Sequence, residues 1–233
     1  IRTVTSEDYQ AAVKDGKNLC GAEFCAPVAA MHGHVNYLMD KADFVFLPTY
    51  LMESRETKLN RQYCYYTQFV SSVISVQKQL KAPGKLLTPL LKYAQGELYT
   101  RLELYRMLKT MNVKDISFLK TTQAYEHARK YFRSARLQWQ QHYTDALKIT
   151  GDIHVILLGR PYTVLSPAMN NHIPELFEKH GITAFHMDML PAVPVDISKA
   201  GELVRTIKWK FASGILHAAR VVAATGNSYP VLI

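Results

Sequence analysis

The strongest constraint on this chain is an alternation in residues 151–233. Short apolar, β-branched runs are separated there by turn residues and by stretches with helical spacing. Residues 153–158 (IHVILL) read as a buried strand and Gly159-Arg160-Pro161-Tyr162 as a loop. Residues 173–180 read as a helix with Gly181 as its C-terminal cap, and 182–186 as a second strand. Residues 203–219 then have helical spacing. Residues 220–224 read as a third strand and 230–233 as the start of another. This rhythm predicts βαβ units and a parallel, doubly wound sheet. The expected fold class is α/β: parallel, helix-flanked sheets of flavodoxin or Rossmann type, with a helical middle segment.

Pro83-Gly84 and Gly151-Asp152 are the clearest breaks. They divide the chain into an α/β segment at 1–82 that carries cysteine and histidine, a helical connector at 83–150, and the second α/β segment at 151–233. In the first, 42–47 (ADFVFL) reads as a buried strand stopped by Pro48. Residues 34–40 before it and 64–80 after it have helical spacing. In the second, Leu98, Leu102, Tyr105 and Leu108 repeat at threes and fours. So do Ala124, Ala128, Tyr131, Ala135, Trp139, Tyr143 and Ala146. Small residues on such a stripe predict close helix packing, a core seam rather than a cofactor box.

Charge and cysteine content bound the function. The chain carries 28 Lys and Arg against 19 Asp and Glu, a net charge of +9. That favours anionic partners. The cations interleave with apolar positions, however, so a solvated helix face is the first reading, CoA or a protein partner the second, and nucleic acid the last. No nucleic-acid motif accompanies the charge. No run approaches the roughly 18 apolar residues of a membrane span, and no signal peptide opens the sequence. The absence of an initial Met leads us to expect part of a longer protein. Three cysteines in 233 residues are not a disulfide framework. They fit a reducing, cytoplasmic compartment, where they are buried small side chains or ligands for a soft metal.

Three constellations could carry chemistry. Cys25 lies in Glu23-Phe24-Cys25-Ala26-Pro27 and is followed by His32-Gly33-His34. A thiol and two imidazoles can bind metal, but the spacing is no standard zinc motif. From spacing alone the favoured reading is that the imidazoles are polar groups at a helix start, with Gly33 allowing the turn. Cys64 stands just before a predicted helix, in Tyr63-Cys64-Tyr65-Tyr66-Thr67-Gln68. Amides at a helix N-terminus stabilise a thiolate or an anionic cluster, while a buried inert thiol is the plainer reading. Arg160 follows a strand in Gly159-Arg160-Pro161-Tyr162, where open α/β sheets bind ligands. It can take a phosphate or carboxylate bidentately, or sit exposed in an ordinary turn. Neither GxGxxG nor a P-loop is present, so ATP hydrolysis is not assigned to this chain.

In order and rough spacing these segments resemble one family. It is the region of acyl-CoA dehydratase activase-related proteins that is homologous to the 2-hydroxyacyl-CoA dehydratase subunits. The matches are Cys25-Ala26-Pro27 leading into His32-Gly33-His34; Phe46-Leu47-Pro48; Cys64-Tyr65-Tyr66-Thr67-Gln68; Gly159-Arg160-Pro161-Tyr162; Ile173-Pro174; Asp188-Met189-Leu190-Pro191; and Tyr229-Pro230-Val231. Ala26 stands where that family carries an aromatic residue, Ala29 where it carries Lys, and Tyr65 where it carries Pro.

The resemblance implies a [4Fe–4S] cluster in the full-length protein, with Cys25 and Cys64 as two of its ligands and a third beyond Ile233. Cys20 has no counterpart. His32 and His34 are implied as donors beside the cluster, and Arg160 as a cofactor-binding residue. The implied partners are an ATP-dependent activase domain or subunit and a CoA-thioester substrate. Two functions follow. One is a cluster-bearing, electron-accepting domain in ATP-driven activation or reduction of acyl-CoA substrates. The other is a non-catalytic docking module of a larger CoA enzyme activase.

Overall fold

The structure is a computed structural model that describes residues 3–21, 23–52, 62–75, 83–112, 114–149, 151–191 and 206–233. It is a mixed α/β fold of short parallel strands flanked by helices, as the alternation predicts. The chain divides into two compact units, Ile1–Gln123 and Ala124–Ile233.

The first unit opens with a helical pair that the sequence reading did not anticipate. Helix α1 (Tyr9–Leu19) is capped by Asp8, whose carboxylate accepts from the Ala11 amide at 2.9 Å. Helix α2 (Ala26–Met39) starts at Cys25, with Pro27 in its first turn. It therefore begins well before the predicted residue 34, and Gly33 lies inside it rather than at a turn. The reason is packing. A Cβ on Gly33 would stand 2.1 Å from the Ala12 carbonyl oxygen, and one on Gly16 would stand 1.7 Å from that of Ala29. Ala12 with Gly16, and Ala29 with Gly33, place small residues four apart on both helices, which lets the backbones touch.

Strands β1 (Val45–Phe46) and β2 (Thr49–Met52) follow. They pair in parallel with β3 (Leu86–Leu87) and β4 (Leu90–Lys92), respectively. Pro48 interrupts this strand but does not end it. The Leu47 amide reaches Leu87 O at 2.8 Å and the Thr49 amide reaches Pro89 O at 2.9 Å, so the pairing resumes beyond a residue that has no N–H to donate. The predicted helical connector thus opens with two strands. Their leucines fit either period, and pairing against buried Val45 decides the matter. Helix α3 (Tyr65–Ser75) starts where predicted; residues 76–80 of that expectation lie outside the described residues. Helix α4 (Glu97–Thr110) completes the unit. Helix α5 (Phe118–Ala146) starts in the first unit and runs mostly in the second.

The second unit is a three-stranded parallel sheet, order β6-β5-β7, formed by β5 (His154–Leu158), β6 (Thr183–His186) and β7 (Ser228–Leu232). All five residues of central β5 are buried, which explains the apolar run Val155–Leu158 that follows His154. Ile156 and Leu158 pack on one face with Tyr143, Phe185, Leu190, Ala218 and Val222. Val155 and Leu157 pack on the other with Val164 and Phe177. Each fully buried Ile or Leu here contributes about 1.5–3 kcal/mol. Short helices α6 (Pro161–Val164), α7 (Pro167–Asn170) and α8 (Ile173–Lys179) connect β5 to β6. Gly181, at φ +71°, ends α8 as expected.

Residues 220–224 are not a strand. Helix α9 (Lys210–Ala223) includes most of them, because Ala218 and Val222 are four apart and both face the core. The strand comes after Asn227 instead. Residues 203–205 of the predicted helix lie outside the described residues. The alanine stripe on α5 also differs from expectation. Tyr143 is buried, yet Tyr131 and Trp139 are 73% and 50% exposed. A helix of 29 residues is about 43 Å long, while a five-residue strand spans about 17 Å, so the sheet covers only part of it. Among the described residues no helix is long and apolar enough to cross a membrane.

Candidate functional site: two cysteines at helix N-termini

Cys25 and Cys64 occupy equivalent places in the first unit. The Cys25 carbonyl accepts from the Val28 and Ala29 amides at 2.9 and 3.1 Å, which makes it the N-cap of α2. The Cys64 carbonyl accepts from the Thr67 and Gln68 amides at 2.9 and 3.2 Å and so begins α3. Both cysteines therefore stand at the N-terminal ends of helices, where the helix dipole favours an anionic group. Cys25 is exposed and Cys64 partly buried.

Aromatic rings bring the two helix starts together. Phe24, next to Cys25, meets Tyr66, two residues beyond Cys64, edge to face with centroids 5.9 Å apart. Phe24 also stacks on His32 at 5.8 Å with planes 19° apart. The loop before α3 is fixed from both ends. Tyr63 is buried and its amide reaches Leu51 O of β2 at 3.3 Å. The Gln68 side chain turns back to donate to Tyr63 O at 2.8 Å. Cys64 is enclosed between these two anchors, which gives Gln68 a structural duty that the sequence motif did not reveal.

His32 and His34 part company, because two residues along a helix turn through about 200°. His32 is 2% exposed and shares the ring stack with Phe24. His34 faces α1, with Nδ1 hydrogen-bonded to Ser6 Oγ at 2.8 Å and its ring against the edge of Tyr9 at 4.7 Å. Burial lowers its pKa below the usual imidazole value, and the nearby Asp8 carboxylate partly offsets this. Cys20 caps the C-terminus of α1, where burial pushes its thiol above the usual value. That environment favours the neutral thiol and sets Cys20 apart from the cysteines at helix starts.

Arg160 belongs to the second unit. It follows β5 at the carboxyl edge of the sheet and caps α6. The connections diverge there, since β6 and β7 lie on opposite sides of β5. Its Nη1 donates to Tyr162 Oη at 2.6 Å. Gly159 is required by close approach rather than by an unusual φ. A Cβ there would stand 2.9 Å from Ile233 O and 2.7 Å from Val164 Cγ2. His186 ends the neighbouring strand at the same edge. Burial lowers its pKa and Asp188 opposes the shift.

The model of the CoA enzyme activase uncharacterised domain (DUF2229) matches residues 1–190. The chain belongs to that family. No curated protein and no solved structure matches it. The matched span holds Cys25, Cys64, His32, His34 and Arg160 and stops short of α9 and β7. This DUF2229 chain thus carries the whole cysteine arrangement inside its family-defining segment. Among its described residues no group of three His, Cys, Asp or Glu side chains is placed to hold a metal ion.

Proposed function

We propose that this CoA enzyme activase domain contributes Cys25 and Cys64 as two ligands of a [4Fe–4S] cluster in an electron-accepting centre. The observation that carries this reading is the pairing of two cysteine-capped helix starts through Phe24 and Tyr66. Thiolates are the soft donors that iron–sulfur centres use, and a cubane with one open iron takes at least three. The two thiols therefore suit the group in kind and supply only part of its ligand set. The remaining ligands would come from elsewhere than the described residues. A bound cluster supplies one-electron chemistry at low potential.

The chain's own residues would do the rest. Helix amides at both caps would offset the negative charge of a bound cluster. Phe24 and Tyr66 would hold the two helix starts together, with buried His32 packed against Phe24. In the second unit, Arg160 would take a phosphate or carboxylate of a CoA thioester at the carboxyl edge of the sheet. An ATP-dependent activase domain or subunit would be the electron donor.

The test is iron and acid-labile sulfide in the full-length protein, purified anaerobically, with electron paramagnetic resonance after reduction. Cys25→Ala and Cys64→Ala should each abolish the signal, and Cys20→Ala should retain it. An iron-free wild-type protein, or a cluster that survives loss of both cysteines, overturns the proposal and leaves a docking module.

A further inference from the structure

The middle of α5 presents an apolar stripe to solvent. Ala124, Ala128, Tyr131, Phe132, Ala135 and Trp139 fall at helical spacing within an arc of roughly 100°. Tyr131 and Phe132 are 73% and 62% exposed and Trp139 is 50% exposed. The same stripe continues into Tyr143, which is 2% exposed in the core of the second unit. One end of the helix is thus firmly seated while about four turns stand open.

One border of the stripe is basic. Arg129, Arg133 and Arg136 follow one another at spacings of four and three, and Lys130 lies further round. Arg129 lies over the Tyr125 ring at 5.8 Å. Between residues 124 and 139 the single carboxylate is Glu126. Exposed Trp, Tyr and Arg together are the side chains that dominate binding energy at protein interfaces. An apolar helical stripe with charged borders is how one helix recognises another.

We infer that this face of α5 docks an amphipathic helix of a different protein or domain, whose apolar stripe is bordered by Glu or Asp. Charge selects the occupant. A second copy would bring a second basic border and almost no carboxylates to meet the first, and like charges across a helix pair repel. Nucleic acid would use the arginines but leave Tyr131, Phe132 and Trp139 in water. An acidic helix satisfies both features at once. This inference does not depend on the cysteine reading.

The test uses the full chain with Trp209→Phe, so that Trp139 is the remaining tryptophan. It is titrated with a synthetic four-heptad helical peptide bearing Leu at the apolar positions and Glu at the borders, and with the same peptide bearing Lys. The Glu peptide should shift Trp139 emission to the blue and the Lys peptide should not. Replacing Arg129, Arg133 and Arg136 together by Glu should reverse that preference. Tyr131→Ser with Phe132→Ser should weaken binding at least about tenfold. All of these changes except Arg129 are on exposed side chains, and circular dichroism checks that α5 persists. Equal binding of the two peptides, or binding of neither, overturns the inference. So does self-association through this stripe by sedimentation. Duplex DNA binding that depends on the arginines but not on Tyr131 and Phe132 overturns it as well.

Discussion

Replacing Gly16 by alanine tests how closely α1 and α2 pack. The added Cβ would stand 1.7 Å from Ala29 O and 2.4 Å from its carbonyl carbon. Both are backbone atoms, so no change of rotamer relieves the clash. Reaching even a 3.0 Å approach requires the helices to part by about 1.3 Å. Alanine favours the helix over glycine by about 1 kcal/mol. Against this, a gap of 0.5–1 Å forfeits roughly a quarter to a half of each dispersion contact along the seam. Overpacking of a rigid site costs about 1–3 kcal/mol, occasionally more. The clash should win, with a net loss of about 2 kcal/mol. Gly214→Ala is the matched control, since its Cβ would meet only the flexible end of Met187 at 3.5 Å. It should stabilise α9 by up to about 1 kcal/mol. Because the chain has two units, a single melting point is the wrong readout. Hydrogen exchange by mass spectrometry resolves each helix. In Gly16→Ala, amides of α1 and α2 should lose roughly thirtyfold protection while those of α9 keep theirs. Unchanged or greater protection in α1 and α2 would refute the close seam.

Other outcomes follow from single contacts. Gln68→Ala removes the bond to Tyr63 O, should cost about 0.5–1.5 kcal/mol, and should speed thiol-reagent labelling of Cys64. Exposed Cys25 should react first with a maleimide and Cys20 last, with Cys20 needing a pH above that of an ordinary thiol. His34 and His186 are held below the usual imidazole pKa, so the unfolded chain binds more protons. Stability should therefore fall as pH drops from about 6.5 toward their lowered folded values, and His34→Gln and His186→Gln should flatten that slope in denaturant titrations. Cys25→Ser should leave the fold as stable or more so, while removing the iron signal described above.

Most of the second unit was legible because its cues are local. The apolar run Val155–Leu158, bounded by turn residues, suits a strand buried on both faces of a helix-flanked parallel sheet, and Gly181 marks a helix end by its own backbone preference. The misreadings came where partners distant in sequence decide. Leu86, Leu87, Leu90 and Leu91 become strands through β1 and β2, across a proline on each side. Val221 and Val222 have the branching of a strand, but the core contact of Ala218 and Val222 keeps them helical. The pair of small residues on α1 and α2 was present in the sequence, yet neither half has meaning until the two helices are known to face each other. At the candidate site, the cysteines and His32 could be named from motifs. Their ring bridge could not, because Phe24 and Tyr66 are ordinary aromatics until the fold joins them.

Most motif residues turn out to have structural duties that need no ligand. Gly33 admits the Ala12 backbone, Pro48 splits a strand, Gln68 anchors Tyr63, and Gly159 admits Ile233. Their presence would be required in a purely structural relative. Cys25 differs. Its side chain makes no capping hydrogen bond although it occupies an N-cap, where Ser, Thr, Asp or Asn typically adds about 1 kcal/mol. It is also exposed, whereas cysteine is among the most buried residue types. Packing therefore does not explain a thiol at this position, and capping argues against one. A residue that lowers stability where an ordinary substitute would raise it is expected at sites selected for chemistry. If Cys25→Ser stabilised α2 and left iron content unchanged, that argument would fail at its strongest point. A stabilised helix with the iron lost would mean that the sulfur is kept for the metal.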